Sequence, residues 1–200
     1  MANLLIATNN PGKIREFTDI LKPLGYTIVT LKELGITDAP PEDGETFAEN
    51  SLLKANFYWQ KSGNIDTLAS DGGLEIEAFG NTPGVHTHRI DGKDRTDEEL
   101  RRIILKKIIS IPPEQRTARI TTTLTLRVSK DLNFQAESSI EGIIKKSTLP
   151  FEPGYPARSI FWIPILKKFL SEITNEEHRA ISHSRKAIEK LLPYLEQYVL

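Results

Sequence analysis

Leu4-Leu5-Ile6-Ala7-Thr8-Asn9-Asn10-Pro11-Gly12-Lys13 is the stretch on which the fold turns. Four consecutive apolar residues suit a strand buried on both faces of a sheet. The polar run Thr8 to Gly12 reads as a loop, and beyond it Ile14, Phe17, Ile20, Leu21 and Leu24 recur at helical spacing. After Gly25, Tyr26-Thr27-Ile28-Val29 reads as a second strand. The opening therefore predicts a strand-loop-helix-strand unit.

Working outward, residues 36 to 45 carry Pro40, Pro41, Gly44 and several acids without periodicity, and read as a surface loop. Thr46 with Glu49 makes a capping-box pattern that opens a helix whose apolar side is Phe47, Leu53, Phe57 and Tyr58. Leu74, Ile76 and Ala78 alternate with Glu75 and Glu77, the period of a strand with one solvated face. Leu100, Ile103, Ile104 and Ile108 mark a helix closed by Pro112-Pro113. Ile120 to Val128 then alternates with threonine and arginine, and Leu132 to Ile144 returns as its partner in a long two-stranded ribbon. A final helix carries Ile188, Leu191, Leu192 and Leu195, with Pro193 bending it.

Composition narrows the classes. The chain has 200 residues, enough for a single domain with one solid core. Lys plus Arg (26) against Asp plus Glu (27) leaves a net charge of −1, which lacks the positive field that polynucleotide or anionic-membrane binding needs. Any anion site must be local. Without cysteine there is no disulfide, thiolate nucleophile or Cys-ligated metal, in keeping with a reducing cytoplasm. The longest apolar run, Ile160 to Leu166, falls far short of the roughly 20 residues that cross a bilayer. Met1-Ala2-Asn3-Leu4 also lacks a signal-peptide pattern. The expectation is a soluble cytoplasmic protein.

Four clusters carry chemistry. Thr8, Asn9, Asn10, Pro11, Gly12 and Lys13 sit between a buried strand and a helix start, where unpaired backbone N–H groups, the helix dipole and a lysine favour a phosphate. The same residues also make a plain turn. Glu42, Asp43, Glu45 and Glu49, followed by Lys54, offer carboxylates to a hard cation such as Mg²⁺ beside substrate phosphates. Equally, Glu49 serves the capping box, Glu45 interacts favourably with the helix N-terminus, and Glu42 and Asp43 are solvated loop charge. Ser70-Asp71-Gly72-Gly73 places an aspartate at a strand end, able to hold a metal or take a proton from water, or simply to turn the chain. Ser182-His183-Ser184-Arg185-Lys186, just before the last helix, offers an imidazole and cations to a base and phosphates, or is a cationic turn. His86 and His88 share a strand face but lack a third zinc ligand, which favours hydrogen bonding over metal. No G-x-S-x-G elbow supports a serine hydrolase.

In this order the segments resemble the inosine triphosphate pyrophosphatase family, the house-cleaning nucleoside triphosphate diphosphatases that act on inosine and xanthosine nucleotides. The resemblance spans residues 3 to about 192. It rests on Thr8-x-Asn10-x-x-Lys13, Glu42, Thr46-Phe47-x-Glu49-Asn50-x-x-x-Lys54-Ala55, Asp71-x-Gly73-Leu74, Pro83-Gly84-Val85, Glu141-Gly142-x-Ile144, Gly154-Tyr155 and Ile181-Ser182-His183.

The resemblance implies a single domain over 1–200, an elongated two-lobed α/β fold around a central mixed sheet flanked by helices, and a homodimer. It further implies Mg²⁺ and cleavage of ITP, dITP or XTP to a monophosphate plus pyrophosphate. By position, Thr8 to Lys13 and Lys54 would hold the triphosphate. Glu42 and Asp71 would serve the metal, Asp71 doubling as base, while Gly72, Tyr155, His178, His183 and Arg185 would line the substrate site. Phe151 and Trp162 are further aromatic platforms for a purine, although Trp162 suits the core better.

Three departures stand out against the family pattern. Ser70-Asp71-Gly72 replaces two adjacent aspartates and a serine. Pro153-Gly154-Tyr155-Pro156-Ala157-Arg158-Ser159 replaces Phe-Gly-Tyr-Asp-Pro and gains two residues. Ser182-His183-Ser184-Arg185 replaces Ser-His-Arg. Alternatives left open are an altered base preference and a nucleotide-binding regulator that has lost turnover.

Overall fold

The structure, a computed structural model, describes residues 2–89, 93, 95–150 and 154–198, with 88 and 89 described by backbone alone. Met1, Phe151, Pro153 and the His88 side chain, on which expectations above rest, lie outside it. The described residues divide into two compact units, one drawn from 1–71, 122–138 and 183–200 and the other from 72–121 and 139–182.

In the first unit, β1 (Asn3–Ala7) pairs in parallel with β2 (Thr27–Thr30) and with β3 (Thr67–Ile76), in the registers Leu5↔Val29 and Leu5↔Thr67. Alternation along β1 splits its apolar run between two cores. Leu4 and Ile6 pack with Phe17, Ile20 and Leu21 of α1 (Pro11–Leu21) and with Ala187, Ile188, Leu191 and Leu195 of α5 (His183–Tyr198). Leu5 and Ala7 pack with Ala55 and Tyr58 of α2 (Phe47–Lys61). Leu4, Leu5 and Ile6 have no exposed surface, and each contributes about 1.5–3 kcal/mol by burial.

In the second unit, the later part of β3 pairs antiparallel with β4 (Thr82–Pro83). β5 (Thr117–Ser129) and β6 (Leu132–Ile144) run through both units, and β6 continues antiparallel to β7 (Phe161–Ile163) and β8 (Lys168–Phe169). The strand order β2-β1-β3-β5-β6-β7-β8 makes the sheet mixed, with helices on its faces. α3 (Asp97–Ile108) buries Leu100, Ile104 and Ile108 against Leu74, Ile76, Ile144 and Phe161. α4 (Asn175–Ile181) precedes α5.

Several expectations change. β5 and β6 are interior strands, with β5 also bonded to β3, because their apolar alternation finds helices to pack against. β3 runs unbroken from Thr67 to Ile76, so Asp71 lies inside a strand; Ala78 falls beyond it in a 3-10 turn. Gly72 and Gly73 extend the chain here. Residues 84–89 form 3-10 turns, which removes the shared strand face of His86 and His88. α1 starts at Pro11, one side chain after its Asn10 cap, and His183 opens α5. On α2 the buried face is Phe47, Asn50, Ser51, Ala55 and Tyr58, whereas Leu53 is exposed. The sheet opposite Ser51 is polar. Its hydroxyl shares a 2.7 Å hydrogen bond with Thr125, which also accepts from Gln135 Nε2 at 2.9 Å.

Candidate active site

The strand order β2-β1-β3 places a topological switch between β1 and β3. The connection after β1 climbs to α1 on one face, and the chain entering β3 comes from α2 on the other. Beyond the carboxyl ends of such parallel strands, open α/β sheets form their ligand crevices. Lys13, Glu42, Lys54 and Asp71 of the sequence candidates lie here, together with Ser70.

Alternation in β3 sends Leu68 to the α1 face and Ala69 to the α2 face, so Ser70 and Asp71 follow suit in opposite directions. Each meets a lysine from its own side. Lys13 Nζ donates to Ser70 Oγ at 3.2 Å, and Lys54 Nζ donates to Asp71 Oδ1 at 2.7 Å. Lys54 also lies 2.9 Å from Glu42 Oε2, so one ammonium bridges two carboxylates that are 29 positions apart in sequence.

The Glu42 loop is delivered by the start of α2. Thr46 caps the helix reciprocally with Glu49, whose Oε2 also accepts from the Glu45 amide at 2.7 Å. The Gly44 amide donates to Asn50 Oδ1 at 2.9 Å, and a Cβ on Gly44 would stand 2.7 Å from that oxygen. Only glycine admits this approach. Glu49 is thus a helix cap and Glu42 is the loop acid that reaches the cluster.

Electrostatics differ at the two lysines. Burial works against the Lys54 charge, yet Asp71 and Glu42 outweigh it and hold its pKa above the ordinary lysine value. Burial pushes Lys13 below that value, and the Lys54 charge adds to the effect, with Asp71, Glu42 and Glu16 pulling the other way. An incoming polyanion would favour the charged form of Lys13 by offsetting the neighbouring Lys54 charge.

The N-terminus of α1 departs from the sequence argument. Asn10 Oδ1 accepts from the amides of Gly12 at 2.9 Å and Lys13 at 3.2 Å. The Asn10 amide donates to Thr8 Oγ1 at 3.2 Å, the Thr8 amide to the Ile6 carbonyl at 3.0 Å, and Pro11 has no N–H. The donors expected to be unpaired are already occupied by a capping side chain. Attraction for an anion comes from the lysines and the helix dipole, with the capped amides available only by displacing Asn10.

Other sequence candidates are placed elsewhere. Gly72 follows Asp71 in β3, and Asn9 lies in the loop between Thr8 and the Asn10 cap. His183 and Arg185 belong to the first turn of α5, half-buried, whereas Ser184 between them is buried. In the second unit His178 sits in α4, and the Arg158 guanidinium lies over the Tyr155 ring at 4.8 Å. Trp162 is engaged by Lys145 at 3.7 Å and edge-on by Phe169 at 5.2 Å, a packing role. Among the described residues no three acidic or histidine side chains form a metal cluster, and no helix is long and apolar enough to cross a membrane.

Ser70 is the residue that sequence reasoning undervalued, seen only as a lost carboxylate. Its strand neighbours alternate faces, and that signal was present in Leu68-Ala69-Ser70-Asp71.

Known proteins resemble this chain throughout. The Ham1 family model matches residues 4–194. The chain is 36% identical over 196 residues to the dITP/XTP pyrophosphatase of Bacillus subtilis, covering 98% of each. It is 37% identical over 189 residues to that of Thermus thermophilus, covering 94% of this chain and 89% of the relative. Among solved structures, the Ham1 protein of Staphylococcus aureus superposes with a TM-score of 0.81 at 29% identity over 98% of both chains. The HAM1 protein from Coxiella burnetii gives 0.84 at 28%, covering 98% of this chain and all of that one.

Proposed function

The chain belongs to the Ham1 family, and from that membership we propose that it hydrolyses deaminated purine nucleoside triphosphates, ITP, dITP and XTP, to the monophosphate and pyrophosphate. Such an activity clears non-standard nucleotides from the pool. The observation that carries the reading is the Lys54 bridge between Glu42 and Asp71, next to Lys13 on Ser70.

Water attacks the α-phosphorus, the bond to the oxygen bridging α and β breaks, and pyrophosphate leaves with the electron pair. Asp71 is the proposed base that takes the water proton. Lys13 and Lys54 bind the oxygens on which charge grows, where a fixed cation acts most strongly. Thr8, Asn9, Asn10, Pro11 and Gly12 shape the phosphate end. A phosphate oxygen, being charged, is a stronger acceptor for the Gly12 and Lys13 amides than the neutral Asn10 carbonyl it would replace.

The donor set fits Mg²⁺, which is commonly held by one or two carboxylates plus substrate phosphates; Glu42 and Asp71 would supply them. When bound, the metal draws negative charge from the phosphates. Lys54 would serve the substrate phosphates as a fixed cation. Gly72, Tyr155, His178, His183 and Arg185 are proposed as further substrate contacts. A donor such as Arg185 favours a base carbonyl and leaves an adenine amino group unpaired. We also propose a single functional domain, a homodimer and a cytoplasmic location.

The test is to incubate the purified protein with Mg²⁺ and a panel of nucleoside triphosphates and identify products by chromatography. Monophosphate plus pyrophosphate, fastest from ITP, dITP or XTP and abolished by a chelator, is expected. Release of inorganic phosphate, or binding without turnover, would overturn the reading. Sedimentation gives the oligomeric state.

A further inference from the structure

Asn50, the fourth residue of α2, is a polar side chain only 2% exposed, at a position where helices often bury an apolar one against the residue preceding the cap. Here a hydrogen bond takes the place of that apolar staple. The Gly44 amide, two residues before the Thr46 cap, donates to Asn50 Oδ1 at 2.9 Å. Burying an amide side chain is costly unless it is hydrogen-bonded, and apolar packing would avoid the cost altogether. What the hydrogen bond supplies instead is direction.

The helix does not need this bond for its cap. Thr46 and Glu49 close the capping box themselves, and Glu49 Oε2 accepts from the amides of Glu45 at 2.7 Å and Thr46 at 3.1 Å. Asn50 secures the next amide upstream, so the N–H groups of 44, 45 and 46 are all fixed to the first turn of α2. Glu42 lies two residues further, at most about 7 Å of chain. Its side chain is 51% exposed, so burial does not hold it, yet it meets Lys54 at 2.9 Å. Lys54 stands four positions after Asn50 on the same helix face. The helix is itself tied to the sheet, Ser51 Oγ to Thr125 Oγ1 at 2.7 Å and Gln135 Nε2 to the Ala48 carbonyl at 2.8 Å. Thr125 belongs to β5, the neighbour of the strand that carries Asp71. A chain of directional bonds thus runs from the sheet through α2 to Gly44, all within the first unit.

We propose that Asn50 is a positioning residue that, by holding the Gly44 amide, places Glu42 to share a divalent cation with Asp71. It acts through the backbone of the Glu42 loop and does not touch the cation. This deepens, and rests on, the reading of Glu42 and Asp71 as the carboxylates that hold the metal.

The experiment measures Mn²⁺ binding to the nucleotide-free protein by electron paramagnetic resonance, Mn²⁺ taking the same oxygen ligands as Mg²⁺. Amide hydrogen exchange is followed in parallel. Asn50→Ala raises the Mn²⁺ Kd about tenfold, the effect that losing a residue behind a metal ligand commonly has, and speeds exchange at Gly44 while the rest of α2 stays protected. Gly44→Ala breaks the same contact from the other side, because its Cβ would stand 2.7 Å from Asn50 Oδ1 and 2.8 Å from Glu49 Cβ, and it weakens binding in the same way. Asn50→Asp, which keeps the acceptor and suits a helix N-terminus, restores most of the affinity. In a Glu42→Gln background Asn50→Ala changes Kd by less than about twofold, since the residue through which it acts is gone. An equal loss in both backgrounds overturns the positioning role and makes Asn50 a support of the fold at large. Unchanged exchange at Gly44 in Asn50→Ala overturns the clamp, and faster exchange with unchanged affinity overturns its bearing on Glu42. Wild type that binds Mn²⁺ no better than Glu42→Gln overturns the reading of Glu42 as a ligand and this role with it. Neither readout depends on turnover, so a chain that gives all the expected binding and exchange results without hydrolysing dITP overturns the proposed activity and upholds the role of Asn50.

Discussion

Two carboxylates on β3, four residues apart, have opposite fates. Glu75 takes a bidentate guanidinium from Arg119 at 2.7 and 2.9 Å together with the Thr121 hydroxyl at 2.5 Å. Those hydrogen bonds, Arg119 first and against the cost of burial, hold its pKa below the ordinary carboxylate range. Asp71 instead shares a single lysine with Glu42. A fork matched to one carboxylate locks it; a point charge divided between two leaves both able to exchange partners. The first arrangement is structural, although it lines a cavity of about 260 Å³ with Glu77, Asn81 and Glu141. The second suits a site that must admit a cation and a polyanion.

The comparison breaks first at Asp71. Asp71→Asn should lower turnover by about 10²–10⁴ with the fold intact, as expected for removal of a general base. Equal turnover in the purified variant would remove Asp71 from the chemistry. Lys54→Met comes next, costing about 10² in kcat through loss of a fixed cation. If it changed only thermal stability, the bridge would be structural like the Arg119 pair.

Lys13 sharpens the contrast by pH. Its lowered pKa means that its charge is lost at a lower pH than an ordinary lysine's, so KM for triphosphate should rise on the alkaline side earlier than a normal lysine would allow. Lys13→Arg, which stays charged, should remove that alkaline rise.

Glu75→Gln should leave kcat within about twofold and cost about 1 kcal/mol of stability at pH 7, the range of a partly exposed pair. Because the folded pKa of Glu75 is depressed, this stabilisation is present above its unfolded pKa and lost as pH falls through the folded one. Denaturant melts of both proteins should therefore converge in acid.

Asp66, immediately before β3, is the smallest and opposite case. Burial alone raises its pKa to about 6. The folded state keeps a proton that the unfolded chain gives up, so stability falls as pH rises from about 4 to 6. Asp66→Asn should stabilise by no more than about 1 kcal/mol at pH 7, after allowance for solvent screening, and by nothing near pH 3. A destabilised variant at pH 7 would mean that the charged form is the one the fold prefers.

Much of this was legible beforehand because local chemistry carries it. The Leu4 to Ala7 run announced a strand buried on both sides, and the Thr46–Glu49 pair marked the start of α2 to the residue. The loop acid and the lysine of the cluster were also visible as residue types. Read wrongly were the places where tertiary context overrides a local signal. Ser70-Asp71-Gly72-Gly73 has the composition of a turn, yet hydrogen bonding to β1 and β4 on either side of it keeps the chain extended. At Asn10 the error was one of bookkeeping: a side chain that looked like a ligand donor is the cap that consumes the amides.

By itself the sequence determined the strand-loop-helix-strand opening, the start of α2, the apolar faces of α3 and α5, and the family, since periodicity, caps and ordered motifs are properties of neighbours along the chain. Only the tertiary structure decided that Lys54 reaches across to Asp71, that Lys13 reaches Ser70, and that Arg101 holds Ser147 and Ser159. Those contacts span 17 to 58 positions, and strand register and helix packing, which no local pattern encodes, bring such partners within bonding distance.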